Sequence, residues 1–239
     1  MGAREQLAEE SVWNGAGDTL AANPLVRNPA QIVDFRRAPQ AGTKQHAVKR
    51  AMDIAIASFA LVVFAPVMLI AALFIKLDSK GPVLFRQKRL GLNGKPFAIF
   101  KFRTMTVMED GHDVVQVREG DARVTRVGQF LRKSSLDELP QFVNVIRGEM
   151  SLVGPRPHAV AHDELYGFLI PGYTLRQRVK PGITGWAQVH GLRGETPTVE
   201  IMRRRVEMDI WYAAHASTAL DLSILLRTPL EMLRQRNAH

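Results

Sequence analysis

A single long apolar run stands out in the pattern of hydrophobic and polar residues along the chain. From Ile54 to Ile75 there are 22 residues without a charge, and they include one proline, Pro66. A run of this length is enough to cross a bilayer and exceeds that of an ordinary core helix. We therefore predict a membrane-inserted segment, with a buried core helix as the alternative on length alone.

Basic residues lie at both ends of this run. Lys49 and Arg50 precede it, and Lys76 follows it. Because basic flanks favour the cytoplasmic side of a membrane, both ends are expected on the same side. A proline removes one helix hydrogen bond and bends the axis, so a helix that enters, breaks at Ala65-Pro66 and returns fits both observations. A kinked single span is the competing interpretation.

The same pattern divides the chain into three parts. Residues 1–47 are polar, of mixed charge and without clear periodicity, which predicts a flexible extension. Residues 48–80 form the predicted helix-break-helix in the membrane. Residues 81–239 show the mixed strand and helix patterns of a folded, membrane-associated domain, which we expect on the cytosolic side.

Short alternating segments predict a β-hairpin directly after the apolar run. Val83–Arg89 and Phe97–Thr104 are strand-like, and an Asn-Gly dipeptide lies in their connection as a turn signal. Strand alternation would place Lys101 and Arg103 on one face of the second strand. That basic face is either a phosphate-contacting surface or an ordinary solvated strand face.

Helical patterns occupy most of the remaining domain. Glu200–Tyr212 is a charged helix in which Arg203/Glu207 and Arg205/Asp209 have pairing spacing. Other helices are predicted at Val124–Arg132, after Ser134 and at Leu220–Leu233, and loops at Glu109–Asp121 and Pro171–Glu195. The last helix is apolar on one face, which is typical of packing on a domain or lying on a membrane. The fold class is therefore α+β and mainly helical, with a small hairpin and amphipathic interfacial helices.

Charge and composition narrow the class of partner. Residues 1–47 hold equal numbers of acidic and basic side chains, so the rest of the chain carries the whole formal net charge of +9. A basic domain predicts an anionic partner, such as nucleic acid, lipid headgroups or phosphorylated small molecules. Without a recognition helix or an aromatic stacking motif, nucleic acid is not expected. The chain has no cysteine, which excludes disulfides, thiolate metal sites and a cysteine nucleophile.

An acidic pair, Asp137-Glu138, lies between Arg132 and Arg156. Ser135 and Glu138 have the S-x-x-E spacing of a capping box, and acidic residues are favourable in a first helical turn. The same place suits chemistry, because free N–H groups at a helix start bind phosphate oxygens, and arginine binds phosphate through two parallel hydrogen bonds. A helix cap and a phosphoryl-transfer site are both open and mutually compatible.

Several long motifs, in one order, resemble a known family. They are KRAMDIAIA, GPVLFRQKRLG, FKFRTM, LRKSSLDELPQFVNVIRGEMSLVGPRP and KPGITGWAQVHG. Together they resemble the monotopic bacterial phosphoglycosyl transferases, which transfer a sugar phosphate to polyprenyl phosphate. The resemblance runs from about Lys49 to the C-terminus and leaves residues 1–47 outside. It implies a re-entrant membrane helix and a cytosolic catalytic domain at the bacterial inner (cytoplasmic) membrane.

The resemblance also implies a reaction and its residues. Asp137 would attack the β-phosphate of a UDP-sugar, expelling UMP, and polyprenyl (undecaprenyl) phosphate would then take the sugar phosphate. Glu138 and Asp137 would hold Mg²⁺. Positions associated with phosphate or nucleotide binding fall on Arg132, Arg156 and Arg193, and our own strand argument adds Lys101 and Arg103. Membrane lipids and a further copy of the chain are compatible partners. An inactive scaffold for polysaccharide assembly is the alternative, and the donor sugar is left open.

Overall fold

The computed structural model describes residues 43–106, 120–194 and 196–233. The chain folds into seven helices and four short strands within these ranges. The helices are α1 (Thr43–Asp78), α2 (Arg126–Lys133), α3 (Gln141–Arg147), α4 (Val160–Leu169), α5 (Trp186–Val189), α6 (Val199–His215) and α7 (Thr218–Leu233). The strands are β1 (Leu84–Leu90), β2 (Pro96–Phe102), β3 (Ser151–Val153) and β4 (Gly182–Thr184). The prediction of a mainly helical α+β fold is confirmed.

The predicted hairpin is present, with its strands shifted by one or two residues. β1 and β2 pair antiparallel, with Leu84 opposite Phe102 and Leu90 opposite Pro96. The connection turns at Asn93 and Gly94, which have φ angles of 54° and 72°. Asparagine and glycine tolerate this left-handed backbone best, so the dipeptide determines where the hairpin closes.

Helix α1 is 36 residues long and includes the whole apolar run. It is the one helix of the described residues that is long and apolar enough to cross a membrane. The backbone is helical on both sides of Pro66, so Ala65-Pro66 does not interrupt the secondary structure, and a bend of the helix at this point stays a prediction. A proline removes only one backbone donor, and its fixed φ is compatible with a helix. Residues 62–67 are all exposed.

The first part of α1 is joined to the domain by charged side chains. Asp53 is buried, and one of its carboxylate oxygens accepts hydrogen bonds from the Ser151 hydroxyl (3.1 Å) and the Leu152 amide (3.0 Å). Lys49 pairs with the fully buried Asp221 at 2.6 Å. These contacts tie the membrane helix to β3 and α7.

The last part of α1 contacts the same domain. The Arg103 guanidinium donates hydrogen bonds to the carbonyl oxygens of Ile75 (3.2 Å), Ser79 (2.6 Å) and Lys80 (2.9 Å). Ile75 packs with Phe102 of β2 in an apolar cluster. Both ends of α1 are therefore attached to one globular unit, while its middle is exposed.

The main core forms where the membrane helix meets the domain. Ala57 of α1 is fully buried in a cluster with residues from β2, α3, β3, α5, α6 and α7 and with Met150 just before β3, namely Ile99, Val145, Met150, Leu152, Val153, Val189, Tyr212 and Ile224. A separate apolar cluster joins α4 to α6 through Tyr166, Ile170, Tyr173, Met202 and Val206. The membrane helix is thus a structural part of the domain.

The predicted loop at Pro171–Glu195 contains more regular structure than expected. It includes a 3₁₀ helix (Tyr173–Arg178), β4 and α5. β4 pairs parallel with β3, and a Cβ on Gly182 would lie 2.1 Å from the Gly154 amide nitrogen. Glycine is required for this close backbone approach, so the glycine content marks a short sheet instead of a loop. The predicted loop at Glu109–Asp121 and the N-terminal extension lie mostly outside the described residues.

Helix α7 packs one face on the domain and exposes the other. Asp221 and Ile224 are fully buried on the inner face. On the outer face Leu222, Leu226 and Leu230 are exposed at four-residue spacing. An exposed apolar stripe of this kind fits the predicted interfacial helix, and its place at a membrane stays a prediction.

The Lys49–Asp221 pair gives a first prediction. Lys49→Met should lower the free energy of unfolding by about 2–4 kcal/mol, because it leaves a buried carboxylate without its cation. We expect a smaller loss of stability than for a fully enclosed ion pair, since the Lys49 side chain is 23% exposed. Denaturant titration in detergent micelles measures the change.

Lys76→Met is the matched control at the other end of α1. Lys76 donates one exposed hydrogen bond to the Gly81 carbonyl oxygen, so its loss should change stability by less than about 0.5 kcal/mol. Equal losses for the two variants would contradict the structural role of Lys49.

Candidate active site

The acidic pair lies in a 3₁₀ turn, Leu136–Glu138, between α2 and α3. Ser135 precedes the turn with a φ of 58°, and its side chain makes no capping hydrogen bond. The predicted capping box is therefore wrong. The Ser135 hydroxyl instead accepts a hydrogen bond from Arg193 at 2.5 Å, so a distant residue takes the place of the local cap. Asp137 is only 8% exposed.

Glu138 is held by two cations from different parts of the chain. Its Oε1 accepts hydrogen bonds from Lys101 Nζ at 2.8 Å and from Arg156 Nη2 at 2.5 Å. Arg156 Nη1 also approaches Oε2 at 3.3 Å. Charge-assisted contacts of this kind are the strong hydrogen bonds of proteins. The two cations therefore fix Glu138 next to Asp137.

Asp137 has looser contacts than Glu138. Its Oδ2 lies 3.9 Å from Lys101 Nζ, a long ion pair. Arg132, in the last turn of α2, donates to the Thr104 hydroxyl at 3.5 Å and attracts Asp137 electrostatically. The Asp137 carboxylate is thus the less constrained of the two.

The pKa values of the Asp137 and Glu138 carboxyl groups are shifted in opposite directions. Burial raises the pKa of Asp137 above its usual value, and the neighbouring Glu138 adds to this against the opposing effect of Lys101. Burial would also raise the pKa of Glu138, but Arg156 and Lys101 hold it well below the usual range. Adjacent titratable groups with pKa values pushed apart are typical of functional sites.

Helix α3 fixes the turn against the hairpin. Buried Asn144 accepts a hydrogen bond from the Phe100 amide at 3.0 Å, and its own amide group donates to the Ala98 carbonyl oxygen at 2.7 Å. At the end of α3, Arg50 of the membrane helix donates to the carbonyl oxygens of Val145 and Ile146, at 2.6 and 2.7 Å. The turn that carries the acidic pair is therefore connected both to β2, which carries Lys101, and to α1.

Arg103 is not brought to the acidic pair. β2 ends at Phe102, so the strand alternation that would place Arg103 beside Lys101 no longer applies there. The Arg103 side chain is buried against the Ile75 carbonyl oxygen in the last turn of α1 and those of Ser79 and Lys80 directly after it. Helix C-termini attract cations because their last carbonyl groups lack partners. Arg103 is therefore a helix-capping residue in this structure, and its prediction as a phosphate contact is corrected.

Comparison with known proteins places this site in a family. The profile of the bacterial sugar transferases matches residues 44–235, which include every residue of the site. The chain belongs to the bacterial sugar transferase family. A UDP-glucose:undecaprenyl-phosphate glucose-1-phosphate transferase of Caulobacter vibrioides is 56% identical over 191 residues, 80% of this chain and 72% of that protein.

Two further relatives carry the same name. The one from Escherichia coli is 52% identical over 201 residues, 84% of this chain and 43% of that protein. The one from Klebsiella pneumoniae is 52% identical over 191 residues, 80% of this chain and 41% of that protein. This sugar transferase chain therefore spans less than half of these two relatives.

Some residues that build the site were not predicted from the sequence. Asn144, Arg176 and Asp209 are buried and polar: Asn144 bonds to the backbone of β2 beside Lys101, Arg176 bonds to the Arg156 carbonyl oxygen, and Asp209 bonds to Arg176. Helical spacing gave no signal for Asn144 or Arg176. The spacing predicts Asp209 only as an ion-pair partner of Arg205. A buried role depends on which helix face meets the core, and spacing alone does not show that.

The acidic pair of the transferase fits a magnesium ion. Mg²⁺ is typically held by one or two carboxylates together with substrate phosphates. Each carboxylate has about four lone-pair sites, so Glu138 Oε2 retains acceptor capacity beside its contact with Arg156. No group of three or more His, Cys, Asp or Glu side chains in the described ranges forms a metal cluster. A two-carboxylate site shared with substrate is therefore the arrangement that these residues support.

The opposite pKa shifts predict opposite effects of charge removal on stability. Asp137→Asn should stabilise the protein at pH 7, because the ionised form of a group with a raised pKa destabilises the folded state. Glu138→Gln should destabilise it, because a lowered pKa means that the ionised form stabilises the folded state.

Both differences should shrink as the pH falls. The gain from Asp137→Asn disappears as the pH drops through the raised folded pKa towards 3.8, and the loss from Glu138→Gln as it drops from 4.5 through the lowered folded pKa. Thermal unfolding in detergent with a chelator, between pH 7 and pH 3, measures both, because the loss from Glu138→Gln begins to shrink only below about pH 4.5. If both substitutions shifted the unfolding temperature in the same direction at pH 7, the opposite pKa shifts of Asp137 and Glu138 would be contradicted.

Proposed function

We propose that the chain transfers a sugar-1-phosphate from a UDP-sugar to polyprenyl (undecaprenyl) phosphate, releasing UMP. The observation that carries this proposal is the largely enclosed Asp137-Glu138 pair bordered by Lys101 and Arg156, within a chain of the bacterial sugar transferase family. UDP-glucose is the proposed donor, because the three relatives described above are named for its glucose-1-phosphate. The product would be polyprenyl-diphosphate-glucose, a first lipid-linked intermediate of exopolysaccharide or glycan assembly.

The first step uses Asp137 as the nucleophile. One of its carboxylate oxygens attacks the β-phosphorus of the UDP-sugar. The bond from that phosphorus to the bridging oxygen breaks, and UMP leaves with that oxygen and its electron pair. The sugar phosphate stays on Asp137 as an acyl phosphate. Asp137 suits this role because its carboxylate is less constrained by hydrogen bonds than that of Glu138.

The second step restores the carboxylate. An oxygen of polyprenyl phosphate attacks the same phosphorus, and the bond to Asp137 breaks. Both nucleophiles are anions, so no proton acceptor is needed for either attack. Two successive displacements at one site allow the soluble donor to leave as UMP before the lipid arrives, which predicts ping-pong kinetics.

The cations around the pair would stabilise the charge that develops on phosphorus. Arg156 and Lys101 lie within hydrogen-bond distance of Glu138, so both can reach a phosphate bound beside it. Arg132 and Arg193 would bind the remaining phosphate oxygens. Glu138 and Asp137 would hold Mg²⁺, which when bound neutralises diphosphate charge and favours departure of UMP.

We also propose that α1 enters the membrane and returns to the cytosolic side of a bacterial inner membrane. Support comes from the attachment of both helix ends to one domain, through Lys49 and Asp53 at one end and Arg103 at the other. Residues 62–67, around Pro66, are exposed and apolar and would form the tip in the lipid. A proline near the midpoint favours a bend there.

The reaction is tested by UMP release. Wild-type protein with Mg²⁺, polyprenyl phosphate and a panel of UDP-sugars should release UMP fastest with UDP-glucose, and chelation should abolish release. Asp137→Asn should lose at least about 10³-fold in rate, because it removes the nucleophile. Radiolabelled donor should label the wild type covalently, and the label should be absent from the variant.

Exposed Lys88→Met is a control that should keep the wild-type rate. If the wild type released UMP from none of the UDP-sugars, the chain would be a scaffold or would use another class of donor. If Asp137→Asn kept full activity, the covalent step would be wrong.

The membrane topology is tested with single cysteines, since the chain has none of its own. His46→Cys and Lys80→Cys lie near the two ends of α1, and both side chains are exposed. In spheroplasts, a membrane-impermeant maleimide should label neither, and after lysis it should label both. Labelling of only one in intact spheroplasts would show a spanning helix.

A further inference from the structure

The segment that carries Arg156 has few backbone donors of its own. Pro155 and Pro157 flank it, and proline lacks a backbone N–H. The Gly182 amide donates to the Pro155 carbonyl oxygen at 2.9 Å, and two guanidinium groups hold the next two carbonyl groups. Arg176 Nη2 donates to the Arg156 carbonyl oxygen at 2.5 Å, and Arg89 Nη1 donates to that of Pro157 at 3.2 Å. The position of Arg156 therefore depends on side chains from elsewhere in the fold.

Arg176 is in turn held by Asp209 of α6. Its Nε and Nη2 donate to one carboxylate oxygen at 3.0 and 2.7 Å, and both side chains are 3% exposed. A buried ion pair is a weak source of stability, because desolvation offsets the attraction. What this pair does provide is a fixed donor aimed at the backbone of Arg156.

The same helix supports a second arginine of the site. Arg205, one turn before Asp209 on α6, donates to the Gly194 carbonyl oxygen at 2.8 Å. Gly194 directly follows Arg193, which reaches Ser135 beside the acidic pair. Burial lowers the pKa of Arg205 to about 10, with Asp209 opposing and Arg156 adding to the shift, so Arg205 is charged at neutral pH.

The two pairs of α6 with four-residue spacing have different roles. Arg203 and Glu207 are exposed and bond to each other at 2.9 Å, as their spacing predicts. Arg205 and Asp209 have the same spacing, but both are buried, and Asp209 bonds to Arg176 of the 3₁₀ helix while Arg205 bonds to the Gly194 carbonyl oxygen. The exposed pair is therefore an internal control for the buried one.

We propose that α6 is a positioning platform, on which Asp209, acting through Arg176, and Arg205 hold the two loops that carry Arg156 and Arg193. The inference rests on the proposed function. None of the three supporting residues need touch the substrate, so each is a positioning residue. A displacement of about 1 Å at a reacting centre can lower a rate by about 10²-fold.

The kinetic test compares Arg176→Met and Asp209→Asn with the exposed controls Arg203→Met and Glu207→Gln. We expect both buried-site variants to lower the single-turnover rate of UMP release 10- to 100-fold, and the controls to stay within twofold. In an Arg156→Met background, Arg176→Met should lower the rate by less than a further threefold, because it acts through Arg156. Equal loss in both backgrounds would indicate a general structural role and overturn the proposal.

Arg176→Lys separates positioning from folding. A lysine keeps the charge next to Asp209, but it cannot supply the planar guanidinium fork that reaches both Asp209 and the Arg156 carbonyl oxygen. We expect a thermal midpoint close to wild type with a rate still reduced at least tenfold. A wild-type rate for Arg176→Lys would overturn the proposal. If Arg176→Met failed to fold, Arg176→Lys would take its place in the double-variant comparison.

A second readout does not depend on turnover. Hydrogen exchange of the full-length protein in detergent should speed up at residues 154–159 in Arg176→Lys and Asp209→Asn, and at residues 191–194 in Arg205→Met. Arg203→Met should leave both segments unchanged. Unchanged exchange rates in the variants of Arg176, Asp209 and Arg205 would overturn the proposal that α6 positions these segments. If wild-type protein released no UMP, the proposed function would be wrong. The exchange pattern would still test whether α6 positions the two segments.

Discussion

The negative charge of Glu138, whose side chain is only 11% exposed, is the constraint around which the site is built. A carboxylate in a largely dry environment is tolerated only when cations and hydrogen bonds compensate it. Lys101 comes from β2, 37 positions earlier, and Arg156 comes from the segment after β3, 18 positions later. Pairing all three requires the hairpin, the 3₁₀ turn and the proline-flanked segment to meet at one point. Much of the remaining polar network keeps those three pieces in place.

The fold could be predicted where the signal was local. Alternation and an Asn-Gly dipeptide identified the hairpin, and an uncharged run identified α1. The S-x-x-E pattern at Ser135 misled because the competing partner of its hydroxyl, Arg193, is 58 positions away. Strand alternation misled for Arg103 because the strand ends one residue earlier. In both cases a tertiary contact replaced the local rule, and no single window of sequence contains that contact.

The basic residues before the apolar run show how one pattern can have two physical causes. Lys49 and Arg50 fit the expectation that positive side chains flank a membrane segment. In the structure, one pairs with buried Asp221 and the other binds the last carbonyl groups of α3. Helix α1 is thus bonded to α3, which directly follows the turn that carries the acidic pair. Flanking charge therefore reports both on orientation and on how the helix is docked.

The exposed middle of α1 has a consequence for how such a chain can change between hosts. Residues 62–67 are all exposed, whereas the specific bonds of the helix are made near its two ends. In the re-entrant arrangement that we propose, this tip would have to match the thickness and composition of the surrounding hydrocarbon and not the identity of any partner side chain. Residues 62–67 would then be exchangeable. The corresponding segment from a bacterium with a thicker or thinner bilayer could replace them without changes to the rest of the domain.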